Sequence, residues 1–229
     1  MASDFSQNST DKFKELLANL PLEHIQASTE IINYAKSVLN RRLNQSIYIT
    51  LTDHINFAIE RFKERMVFTN PLLNEIKTFY KEEYLVGEYA VALIERRIGI
   101  KLPVDEAGFI ALHIVNAEYN TVMRDTIDIT NLIQNVVKIV KEYFSMDLDE
   151  TSLNYQRFVT HLRFLAQRII GGEMLNSENP EFNQLISQMY PEEYACSLKL
   201  KDYIQVTYHH DVTEEETAYL AVHIKRIRI

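Results

Sequence analysis

An all-α chain built as two tandem, homologous helical bundles of about five helices each is what the sequence predicts. Three observations carry this. Glycine and proline number five each in 229 residues, so breakers are too scarce for a chain of many turns. Apolar residues recur at helical spacing over long stretches. The same order of signature residues also occurs twice: setting His54 on His161 matches Tyr48 with Tyr155, Phe57 with Phe164 and Arg61 with Arg168. Setting His113 on His223, at nearly the same offset, matches Glu106 with Glu216, Phe109 with Tyr219, Ala111 with Ala221 and Ile114 with Ile224.

The elements follow in order. Residues 1–12 are small and polar without periodicity and predict a flexible leader. The first domain is expected over residues 13–123. It opens with a helix at Asp11–Asn19 and a longer one at Leu22–Asn44, whose stripe is Ile31, Ile32, Tyr34, Ala35, Val38 and Leu39. The β-branched run Ser46–Leu51 reads as extended, with Thr52 as the N-cap of a helix reaching Met66. Pro71 suits the first turn of the next helix. A helix at Gly87–Arg97 and another at Asp105–Asn120 flank the turn marked by Gly99 and Pro103. A short polar hinge at Asn120–Asp128 leads to the second domain, residues 124–229. There the helices are expected at Thr130–Phe144, Ser152–Ile170, Pro180–Met189, Pro191–Tyr208 and Thr213–Arg228.

Composition removes several function classes. A net charge of −8 argues against direct contact with a polyanion, because nucleic-acid binding rests on Lys and Arg neutralising phosphates. The single Cys196 can form no internal disulfide, which suits a reducing compartment. No apolar run approaches the roughly 20 residues of a membrane span, so no membrane insertion and a cytoplasmic location are expected.

The histidines carry the functional signal. Of seven in the chain, four sit at matched positions of the repeat: His54, His113, His161 and His223. Phe109, His113 and Ala117 fall one and two helical repeats apart, placing His113 at the edge of an apolar stripe with its polar tip free to reach outward. Taken singly, each reads as a partly buried structural histidine. Retention of a chemically unique group in both copies, where the core swaps Ile55 for Leu162, points to chemistry instead. Metal binding needs a third ligand, yet Asp53 becomes Thr160 in the second copy, so no metal and no cofactor are expected. No hydrolytic or nucleotide-binding motif accompanies the histidines, and no enzyme is expected. Acceptance of a phosphoryl group fits best, since a neutral imidazole near pH 7 is a competent nucleophile once a partner presents the phosphoryl group. Arg61 and Arg168 lie two turns beyond His54 and His161 on the same face and are candidate phosphate contacts, together with Asp53. Arginines closing a solvated helix end are the structural alternative. His24, His209 and His210 read as surface residues.

The blocks LTDHINFAIER, DEAGFIALHIVNAE, RFVTHLRFLAQR and YLAVHIKRIRI resemble the tandem PTS regulation domains of BglG/SacY/LicT-type transcriptional antiterminators, over about Phe13 to Ile229. The resemblance implies a homodimer of paired helical bundles, with His54 and His113 as phosphoacceptors of the first domain and His161 and His223 as those of the second. It further implies two donors of the phosphotransferase system: the sugar-specific permease for the first domain and the phosphocarrier HPr for the second. RNA would be engaged only through an N-terminal RNA-binding domain absent from this stretch. A pair of the same domains taken from a DNA-binding transcriptional activator is the alternative.

Overall fold

The computed structural model describes residues 20–172 and 180–228, so the leader and the helix expected at Asp11–Asn19 lie outside the described residues. Ten helices and no strand are found among them: α1 Leu22–Leu39, α2 Ile47–Lys63, α3 Leu73–Phe79, α4 Lys81–Ile98, α5 Val104–Tyr119, α6 Met123–Phe144, α7 Leu153–Gly171, α8 Pro180–Met189, α9 Pro191–Tyr208 and α10 Glu214–Ile227. The chain divides into two compact units between Thr126 and Ile127. In the first, α4 packs along α5, α1 packs on α2 and α4, and α2 and α3 both reach α5. In the second, α10 is the central helix, touched by α7, α8 and α9.

Helix α2 corrects an expectation. The run read as extended is helical, because Ile47, Leu51, Ile55 and Ile59 recur every four residues and are all fully buried. Burial of that stripe outweighs the weak strand preference of β-branched residues. Thr52 is then an interior buried residue and not a cap.

Boundaries move for identifiable reasons elsewhere. α1 stops at Leu39, short of Asn44, because Asn40 turns into the left-handed region with φ 49°. α4 begins at Lys81, not Gly87, and carries Glu82 and Glu83 in its first turn, where carboxylates favour the positive end of the helix dipole. Gly87 is interior to α4 and allows a close crossing: a Cβ there would lie 2.1 Å from the Ala107 carbonyl oxygen. The polar hinge expected at Asn120–Asp128 is mostly the start of α6. There the Thr126 hydroxyl donates to the Asn116 side-chain oxygen and lies 3.0 Å from the Thr121 hydroxyl.

The duplication extends to the backbone. Tyr80 joins α3 to α4 with φ −126°, ψ 48°, and Tyr190 joins α8 to α9 with φ −132°, ψ 61°, inside the matching stretches YKEEY and YPEEY. Both tyrosine amides donate to a carbonyl four residues back, on Ile76 and on Ile186. Gly99 and His209 likewise both end their helices in the left-handed region, at φ 76° and 58°.

Candidate functional site

Two helices position each cluster. Burial of Ile47, Leu51, Ile55 and Ile59 fixes the rotation of α2, so that His54 and Arg61 share the side facing α5. On α5, Glu106 and His113 are seven residues apart and therefore stand on one face. The structure brings these four side chains together. The rings of His54 and His113 have centroids 4.7 Å apart and planes inclined by 37°. Glu106, only 3% exposed, lies behind them: one oxygen accepts from the Arg61 guanidinium, and the other stands 3.2 Å from His54 Nε2. That last approach lacks hydrogen-bond alignment, and both atoms are buried without another partner. Arg61 also meets two rings, with its guanidinium 5.1 Å from the Phe57 ring centroid and 4.4 Å from that of Phe68.

The second unit repeats the arrangement with α7 and α10. His161 and His223 stack with centroids 4.5 Å apart at 21°. Glu216, whose side chain is fully buried, accepts from Arg168 and places its other oxygen 3.8 Å from His161 Nε2. Again the ring nitrogen and the carboxylate oxygen have no hydrogen-bond partner, and neither does His223 Nδ1. Thr213 caps α10 by accepting from the Glu216 amide, which anchors the backbone that carries this carboxylate.

All four imidazoles are half-buried; at His113, His161 and His223 the surroundings favour the neutral form. Burial, reinforced by His54, lowers the His113 pKa to about 3. Burial, with His223 and Arg168 beside it, lowers that of His161 to about 4. His223 is lowered by burial and by Arg226. Glu216 is raised by burial, against the opposing pull of Arg168. The chemistry available is that of neutral ring nitrogens with a guanidinium within the same cluster. Among the described residues no group of three or more His, Cys, Asp or Glu is arranged to hold a metal ion.

Of the other residues singled out from sequence, Asp53 lies on the exposed side of α2. Arg61 and Arg168 are engaged by the glutamates. His24 is not a surface residue: it is 3% exposed, with Nδ1 2.8 Å from the Asn56 side-chain oxygen, because α1 lays it against α2. His209 is exposed and His210 is half-buried. Glu106 and Glu216 were matched by the repeat but given no role; their seven-residue spacing from His113 and His223 is the signal that marks them as facing the site.

Each helical bundle thus carries two facing histidines on neighbouring helices, and comparison gives the family. The PRD domain family matches residues 29–117 and 134–227, and the chain belongs to it. It is 45% identical over 218 residues to the transcription antiterminator LicT of Bacillus subtilis, spanning 95% of this chain and 79% of LicT. It is 40% identical over 223 residues to the beta-glucoside operon antiterminator of Dickeya chrysanthemi, spanning 97% and 79%. With the protein GlcT of Staphylococcus saprophyticus it shares 35% identity over 216 residues, spanning 93% and 76%. Among solved structures, the GlcT CAT-PRDI crystal structure aligns with a TM-score of 0.47 and 37% identity, over 48% of this chain and 66% of that one. The two bundles are thus the regulatory region of a transcription antiterminator under phosphotransferase-system control. No helix among the described residues is long and apolar enough to cross a membrane.

Proposed function

We propose that His54, His113, His161 and His223 accept phosphoryl groups, and that their phosphorylation sets the dimerisation state of the protein and with it antitermination at a sugar-utilisation operon. The observation that carries this is the facing pair in each unit, half-buried and beside an arginine. An unprotonated ring nitrogen attacks phosphorus while the bond from phosphorus to the donor's side chain breaks, and that side chain leaves with the electron pair. The donors are the sugar-specific permease for the first unit and HPr for the second, so one molecule reads substrate supply and carbon status separately. The protein works as a homodimer, whose interface a dianionic phosphate strengthens or weakens according to the charges it meets.

Incubation with enzyme I, HPr and phosphoenolpyruvate tests the assignment, with and without the permease domain. Acid-labile, base-stable label should appear only on the four histidines, with the first unit labelled only when the permease domain is added. Label that persists after all four are changed to alanine would falsify it.

A further inference from the structure

Glu106 and Glu216 are the most costly charged groups in the two clusters. Each is essentially sealed from solvent, and each uses one carboxylate oxygen on an arginine. The other oxygen faces a histidine nitrogen, at 3.2 Å in the first unit and 3.8 Å in the second, with no hydrogen bond formed and no other partner for either atom. A buried, half-satisfied carboxylate is retained at a cost. Here the same unsatisfied contact is built twice, on residues matched by the repeat.

We propose that each glutamate is the resting partner of its arginine, and that a phosphoryl group on His54 or His161 displaces the glutamate and takes the arginine over. The inference rests on the phosphoacceptor reading above. Phosphoryl oxygens on His54 would enter the space that Glu106 faces, and in a site this dry two anions at such distances repel strongly. The planar guanidinium binds a phosphate through two parallel hydrogen bonds at least as well as a carboxylate. Arg61 is already in place for it, held against Phe57 and Phe68 while its partner changes. Both of those rings are about half exposed, at 56% and 50%, so the arginine borders the solvent side from which a phosphoryl group arrives. Once released, Glu106 has no cation in its buried position and must take up a proton or turn outward. Either outcome loosens the tie between α2 and the first turn of α5. In the second unit the same exchange loosens α7 from the capped first turn of α10. The exchange thereby turns a local charge into a change in helix packing.

The experiment uses the full chain with arginine guanidinium groups labelled with carbon-13 and nitrogen-15, phosphorylated by the phosphoenolpyruvate-driven donors. Expected are shifts of the Arg61 and Arg168 guanidinium resonances on phosphorylation, lost respectively in His54→Ala and His161→Ala. Glu106→Gln should move the Arg61 resonance in advance and lengthen the lifetime of phosphohistidine at position 54 severalfold, whereas Arg61→Ala should shorten it. The resonance measurement on the unsubstituted chain stands even if a variant folds poorly. A chain that takes label on His54 while the Arg61 resonances stay fixed overturns the hand-over alone. No label on His54 or His161 from either donor overturns the phosphoacceptor reading as well.

Discussion

His113 projects from the face of α5 with the His54 ring as its nearest aromatic neighbour, and burial together with that neighbour holds its pKa near 3. His161, near 4, is held down in the same way with Arg168 adding to the effect. Both should therefore stay neutral through the physiological range. In a titration followed by imidazole carbon and proton shifts, their signals should not move between pH 8 and about 5; a midpoint in the ordinary histidine range would contradict this environment. The sign of the linked stability follows. An unfolded chain binds a proton at each of these rings near pH 6.5, whereas the folded one does not until well below, so their contribution is full above that value and is lost as pH falls. The four histidines were legible in the sequence because imidazole is rare and its placement was duplicated. The role of Glu106 and Glu216 was not, since an acidic residue in a helix's first turn has an ordinary explanation in the helix dipole. The seven-residue spacing marks the face they share with His113 and His223, and only the neighbouring helix shows the arginine that each one meets.

Helix α5 carries two of the four members of the first cluster, and its position depends on how closely α4 can approach. Gly87 permits that approach. Gly87→Ala would drive a methyl group into the backbone at Ala107, next to Glu106, and no flexible side chain is available to give way. The expected loss is about 1–3 kcal/mol, read as a thermal midpoint lower by about 5 °C or more, with reduced phosphorylation of His54 and His113. An unchanged midpoint would mean that the crossing is looser than the structure shows. Gly87 was misread from sequence as a helix start, because an isolated glycine signals an end more often than a close crossing. The run Ser46–Leu51 was misread for a related reason: strand preference is local, whereas the decisive fact, four isoleucine and leucine side chains buried every fourth residue, depends on what α2 packs against. Helices α8 and α9, each opened by a proline, were found with their expected limits.

At the scale of the whole chain, the two units share a plan and differ in how they balance charge. Both place two adjacent glutamates at the start of the helix after the tyrosine junction. In the second unit Glu193 meets Arg228 and, at 3.5 Å, Lys225. In the first, the position matching Arg228 is Glu118, and Arg41 meets Glu82, Glu83 and Glu118 at 2.7–2.8 Å. Burial and the neighbouring Glu83 raise the Glu118 pKa to about 7, against the pull of Arg41. The unfolded chain gives up this proton near pH 4.5 while the folded one keeps it, so stability from this group declines as pH rises from about 4.5 to about 7. Hydrogen exchange of α1, α4 and α5 amides should show the first unit loosening over that window, and Glu118→Gln should remove the trend without affecting α9 and α10. Persistence of the trend in the variant would assign it to other groups. Imidazole lone pairs lie in the plane of the ring, and His161 and His223 stack with centroids 4.5 Å apart at 21°, so in that pair no straight in-plane path runs from nitrogen to nitrogen. If His161 and His223 accept phosphoryl groups as proposed, a group placed on either ring is expected to stay there, so that the two act as separate marks.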